Sequence, residues 1–175
     1  TWGCKHVAWM LEDEDEFEEF EERIQESGYD TEWVDAGEEP GQGRALKFDY
    51  PGATPEYMEL VYDVDRAFET VEDENKARLK NQPARKPERG AGFRRIDHVN
   101  FNVSNVPECV EWFEEVLGFD LREQGLDPDG NQVGAWMSVS PLVHEVAFIT
   151  PPPDANVVDK IDHVAYYMDG GQSGE

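Results

Sequence analysis

Residues 95–99 read Arg-Ile-Asp-His-Val, and residues 160–164 read Lys-Ile-Asp-His-Val. A shorter form, Lys5-His6-Val7, stands near the start of the chain. The chain holds only four histidines, and three of them, His6, His98 and His163, open the same kind of segment. Each is followed by alternating apolar and small or polar residues, as in HVAWML, HVNFNV and HVAYYM, a pattern that predicts a half-buried strand. The word therefore marks the first strand of a repeated unit.

Working outward from the words defines the unit. After His6, Phe17, Phe20 and Ile24 recur at spacings of three and four among acids, with Gly28 as a stop, which predicts an amphipathic helix. TEWVDAG, GRALKFDY and EYMELVYDV then predict three strands separated by Gly and Pro turns. After His98 the order returns. Ser104 or Asn105 can cap a helix that buries Val110, Phe113 and Val116 or Leu117 and stops at Gly118, and FDLREQ, VGAWMSVS and HEVAFIT predict strands. The fold class is α+β, built from repeated βαβββ modules. Residues 1–66 form one module, 67–93 a charged, proline-containing and partly helical linker, 94–153 a second module, and 154–175 the start of a third. Every module is expected to form a four-stranded sheet with one helix, and two such sheets facing each other can enclose a cavity.

Forty Asp and Glu against 15 Lys and Arg give a net charge of −25, which repels nucleic acid and anionic membrane surfaces. The acids are spread between periodic apolar positions and five tryptophans, the pattern of a folded, salt-adapted surface rather than a disordered tail. Cys4 and Cys109 form no Cys-x-x-Cys pair and are expected to be reduced, consistent with a cytoplasmic location. No run of 18 apolar residues occurs.

Equivalent strands of related modules bring His98 and His163 toward one cavity, where they can share a metal ion. A carboxylate would complete the facial set typical of non-heme Fe(II). The alternative is two ordinary histidines bonded to backbone carbonyls. Asn100, two residues after His98, points from the same strand face; it pairs either with a ligand or ligating side chain, or across the sheet. Trp136 either walls an aromatic-substrate pocket or packs in the core. His144 is not a copy of the ligand position, and a free imidazole there can move protons near neutral pH. His6 and Glu59 occupy the corresponding first-strand and last-strand positions of the first unit.

The words IDHVNFNV, EWFEEVLGF, AWMSVSPLVHEVAFI and KIDHVAYYMD, in this order over residues 94–170, resemble the extradiol ring-cleaving dioxygenases of the catechol 2,3-dioxygenase and homoprotocatechuate 2,3-dioxygenase type, within the vicinal oxygen chelate (glyoxalase/bleomycin resistance/dioxygenase) superfamily. The resemblance implies two domains of two βαβββ modules each, with iron only in the second. It implies His98 and His163 as Fe2+ ligands, with Mn2+ a possible substitute, no separate organic cofactor, and His144 as the acid/base. Asn100 and Trp136 then support the ligands or line the pocket. The partners implied are a catecholic substrate and O2, the product is a muconic semialdehyde, and exposed sheet edges suggest a homo-oligomer. The family's third ligand is a glutamate on the last strand of the fourth module. By the repeat length it is expected about 50–60 residues beyond His163, outside the chain, so the 175 residues read as part of a longer enzyme and inactive alone.

Two other functions compete. A glyoxalase or epimerase-like enzyme of the same fold would gather His6, Glu59 and a histidine and carboxylate such as His98 and Glu145; a non-enzymatic module would bind a small apolar molecule without metal. The acidic surface carries its own prediction: the melting temperature rises strongly between about 0.1 M and about 3 M KCl as cations screen the self-repulsion. A melting temperature that stays constant across that range refutes the salt-adapted reading.

Overall fold

The computed structural model describes residues 4–52, 57–65, 93–155 and 160–168. The first unit runs β1 (His6–Met10), α1 (Glu16–Glu26), β2 (Thr31–Val34), β3 (Ala45–Phe48) and β4 (Tyr57–Val61). Its sheet has the order β1-β4-β3-β2, with β1 parallel to β4 and the remaining pairs antiparallel. The second unit runs β5 (Phe93–Asn102), α2 (Val106–Glu115), β6 (Asp120–Leu126), β7 (Gln132–Ser138) and β8 (Val146–Ile149). It repeats the arrangement, with β5 parallel to β8 and the order β6-β7-β8-β5. β9 (Lys160–Met168) then joins the free side of β5 in antiparallel pairing.

Local chemistry explains the helices. In α1, Phe17 and Ile24 are buried while Glu16, Glu18 and Glu19 lie in the first turn, where the helix dipole favours negative charge. In α2, Asn105 rather than Ser104 is the cap: its Oδ1 accepts from the Glu108 amide at 3.4 Å. The chain leaves α2 through Gly118 at φ +74°, a left-handed conformation that suits glycine.

One hydrophobic core joins the units. Phe17, Ile24, Leu46, Phe48, Tyr50 and Met58 of the first unit pack in the same cluster as Val99, Phe101, Phe113, Met137, Val146 and Phe148 of the second. Trp112 is the hinge point of this packing. Its ring meets Phe48 at 6.0 Å and Tyr29 at 5.7 Å, and its Nε1 donates to Ser27 Oγ at 2.9 Å. The core lies on one face of the five-stranded sheet, beneath Val99 and Phe101 of β5. Strand alternation therefore turns His98, Asn100 and Asn102 to the opposite face.

β5 and β9 meet edge to edge, β9 extending the sheet of the second unit to five strands. Two expectations are corrected. The predicted strand HEVAFIT begins only at Val146; His144 and Glu145 lie in the preceding loop, shaped by Pro141 and by side-chain bonds to Glu145. Nor do His98 and His163 open their strands: β5 reaches back to Phe93 and β9 to Lys160. Most of the linker expected at 67–93 lies outside the described residues, as do the tail from 169 and Glu175. Among the described residues neither cysteine forms a disulfide; Cys109 is buried in α2 and Cys4 is exposed.

Replacing Trp112 by Ala removes the ring shared by the two units and leaves a cavity, which is expected to cost about 3–5 kcal/mol of unfolding free energy. Urea denaturation followed by intrinsic fluorescence and circular dichroism measures this; a loss below about 1 kcal/mol would show that the units are not coupled through this ring.

Candidate metal centre

The antiparallel register of β5 and β9 builds the centre. Val99 stands opposite Val164, and these two valines are the same letter of the repeated word. A local two-fold axis therefore passes through that pair. His98 stands opposite Ala165 and His163 opposite Asn100, so the imidazoles are diagonal neighbours on one face, within reach of each other. Their Nε2 atoms are 3.0 Å apart, and the ring centroids 5.2 Å. The two histidines converge because a duplicated segment pairs with itself across a two-fold.

The rings are oriented from behind. His98 Nδ1 lies 3.0 Å from Asp97 Oδ2, and His163 Nδ1 lies 2.7 Å from Asp162 Oδ2. Arg95 donates to Asp97 Oδ1 at 3.0 Å, while the amides of Asn100 and Asn102 donate to Asp162 at 3.4 Å each. These hydrogen bonds, that of His163 above all, hold the Asp162 carboxyl below the ordinary carboxylate range against the opposing effect of burial. Reasoning from sequence singles out the histidine of each word and passes over the aspartate before it. The signal was present, since Asp precedes His in both copies.

His144 comes to the same place from another element. Its ring centroid is 4.2 Å from that of His98. Burial, followed by the neighbouring His98, lowers its pKa below the ordinary histidine value and so favours the neutral ring. Its buried Nε2 makes no hydrogen bond among the described residues. The loop that carries His144 is tied down by Glu145, whose carboxylate accepts from Ser138 Oγ at 3.1 Å, the Val139 amide at 2.9 Å and Ser140 Oγ at 2.9 Å.

Asn100 is buried, and its amide nitrogen does bond across the sheet, to Asp162, while its buried Oδ1 accepts no hydrogen bond among the described residues. Trp136 lies in the same cross-strand row, which runs Glu123, Trp136, Ala147, Asn100, His163 over β6, β7, β8, β5 and β9. Its ring lies over Gly134, where an added Cβ would stand 3.2 Å from the ring edge.

His6 and Glu59 are brought together, but elsewhere. His6 Nε2 lies 3.7 Å from Glu59 Oε2 on the first sheet, and Gln42 Nε2 donates to the same oxygen at 2.9 Å. Burial raises the Glu59 pKa and the nearby imidazole opposes that rise. His98 pairs with His163 and not with this cluster, and Glu145 is occupied in its loop, so the ligand set of a glyoxalase-like centre is not assembled.

The donor chemistry at His98 and His163 fits a transition-metal ion. Two imidazole nitrogens bound at about 2.1 Å and a right angle stand about 3.0 Å apart, which matches the observed Nε2 separation. Carboxylates on both Nδ1 atoms would leave both Nε2 lone pairs open to such an ion. Among the described residues no group of three or more His, Cys, Asp or Glu side chains is gathered to hold a metal, and the nearest approach to one is the pair of imidazoles of His98 and His163.

Comparisons with known proteins bear on the fold and the family. Residues 4–63 match the catechol 2,3-dioxygenase-like N-terminal domain family, and residues 95–169 match the glyoxalase/bleomycin resistance protein/dioxygenase superfamily. The chain is 37% identical to the manganese-dependent 2,3-dihydroxybiphenyl 1,2-dioxygenase of Geobacillus genomosp. 3, an alignment covering 94% of this chain and 50% of that protein. It is 33% identical to the metapyrocatechase of Geobacillus stearothermophilus, over 94% of this chain and 48% of that protein. The 2,3-dioxygenase LapB from Pseudomonas sp. KL28 superposes with a TM-score of 0.78 at 27% identity, over 94% of this chain and 54% of that one. The chain thus spans about half the length of the curated relatives it matches. The α+β architecture is that of the vicinal oxygen chelate fold, and the resemblance to extradiol dioxygenases read from the sequence holds.

Proposed function

We propose, on the premise of a vicinal oxygen chelate fold with extradiol-dioxygenase relatives, that the intact protein cleaves the ring of a catechol-type substrate with O2, giving a muconic semialdehyde. The observation that carries this reading is the convergence of His98 and His163 Nε2 at 3.0 Å with a third, differently held imidazole, His144, tilted against His98. His98 and His163 would hold Fe2+ or Mn2+, the second supported by the manganese-dependent relative. When bound, the ion supplies Lewis acidity to two vicinal oxygens and a route for electrons from ring to dioxygen. The reaction balances without a further reductant: the bond between one hydroxylated carbon and its unsubstituted neighbour breaks, and each of those carbons gains one oxygen atom from O2.

The chain's own residues supply the rest. His144, favoured in its neutral form with Nε2 available, takes a proton from a catechol hydroxyl and returns it during ring opening. Glu145 fixes the loop that presents it. Trp136 forms an aromatic wall beside the ligand row, and Asn100 holds Asp162 behind His163. A glyoxalase or epimerase reading lacks an equivalent observation, because His6 and Glu59 form their pair away from His98.

The intact protein, loaded anaerobically with Fe2+ or Mn2+ and given catechol, is expected to consume one O2 per substrate and to form a yellow ring-cleavage product. His144→Phe should retain metal and lose about 10²–10⁴-fold in kcat, whereas His163→Ala should lose the metal itself. Absence of metal retention, or metal retention without oxygen uptake on any catechol tried, refutes the dioxygenase reading.

A further inference from the structure

We propose that Asp97 and Asp162 are positioning residues for the two metal ligands, each aimed at its histidine by a β-bulge, and that Asp162 carries the larger share. The proposal rests on the reading of His98 and His163 as ligands. In a regular strand, adjacent residues point to opposite faces, so an aspartate cannot serve the histidine that follows it. Here the register slips at both places. On β5, Ile96 and His98 stand opposite Tyr166 and Ala165, which leaves Asp97 as the extra residue. On β9, His163 and Ile161 stand opposite Asn100 and Phe101, which leaves Asp162 as the extra residue. Bulges re-aim a side chain in this way. Two bulges at equivalent letters of a repeated word, each turning a carboxylate onto Nδ1, amount to one device used twice.

The copies differ in what lies behind the carboxylate. Asp162 faces the opposite strand's Asn100 and Asn102, whose amides donate to its two oxygens. The two-fold equivalents of those asparagines are Ala165 and Tyr167, which offer no amide. Asp97 instead takes Arg95, whose guanidinium rests 5.1 Å from the Tyr167 ring centroid. The histidines differ too. His98 is 17% exposed and packed against His144, so its ring is confined by contacts besides Asp97. His163 makes the shorter bond to its aspartate, 2.7 Å to Asp162 against 3.0 Å from His98 to Asp97. Removing Asp162 therefore frees its ring more than removing Asp97 frees the other.

The test is the affinity of the intact metal-free protein for Mn2+ alone, measured by electron paramagnetic resonance of the free ion, alongside the melting temperature of each metal-free variant. Asp162→Ala is expected to weaken Mn2+ binding about 100-fold and Asp97→Ala about 10-fold. Asp162→Asn, whose amide oxygen can still accept from Nδ1, is expected to fall between wild type and Asp162→Ala. Melting temperatures should stay close to wild type, because both carboxylates lie off the core. An Asp162→Ala affinity within about threefold of wild type overturns the proposal, and a larger loss for Asp97→Ala overturns the unequal share. Loss of affinity that appears only with a matching drop in melting temperature assigns a merely structural role and also overturns it. A wild-type protein that binds no Mn2+ or Fe2+ overturns the ligand reading itself, a result distinct from a wild type that binds while its variants do so equally well.

Discussion

The antiparallel pairing of β5 with β9, with Val99 set against Val164, is the constraint on which the centre depends. A strand pairs with its own copy about a two-fold only in one register at a time, and a slip by one residue would turn every side chain to the other face. The valines hold the register because they face the core while their preceding histidines face away from it. The geometry of the imidazoles is thus fixed by apolar burial on the far side of the sheet. No flexible loop contributes either ring.

That far side is thick because two units share it. Phe101 and Phe148 stack at 5.9 Å, Phe113 meets both Phe148 and Phe119 edge-on, and Tyr50 of the first unit reaches Phe101 and Phe113. A 175-residue chain divided into modules has little core in each, so sharing one cluster across modules is what lets the polar face of the sheet be polar. Asn100, Asn102 and Ser138 are all buried on or beside the strands of this sheet; Asn102, Ser138 and the amide nitrogen of Asn100 have hydrogen-bonding partners, while the Asn100 Oδ1 accepts none among the described residues. Buried polar groups left without partners would weaken the sheet at the place where it must be rigid.

Much of this was legible in the letters. The repeated word located β5 and β9, the spacing of Phe17, Phe20 and Ile24 located α1, and Gly28 and Gly118 marked helix ends where φ is positive. The pairing of His98 with His163 followed from the repeat. What was not legible is whatever depends on register. Period-two reasoning places Asp97 and Asp162 away from their histidines, and only the bulges, which no local pattern announces, bring them back. His144 was placed at a strand start because its neighbours Val146 to Ile149 read as strand, whereas Glu145, by bonding Ser138, Val139 and Ser140, holds that stretch as a loop. The edge-to-edge joining of β9 to β5 was likewise not legible: strand order within a sheet is a long-range property, and composition does not encode it.

The charge of the chain bears on why histidines carry the site. With 40 carboxylates against 15 cationic side chains, oxygen ligands are abundant and the surface potential draws cations of every kind. Long-range attraction cannot select among them, and added salt shortens its reach to about 3 Å at 1 M. Selection therefore has to come from direct bonds. Imidazole nitrogen favours Fe2+ and the later transition metals over the K+ and Mg2+ that oxygen ligands accept readily. Of the four histidines, three stand together, two on strands of one sheet and His144 in the loop before β8, each oriented or confined by a different neighbour. The carboxylates nearest two of them are turned to the Nδ1 atoms, where they would orient ligands instead of competing for an ion.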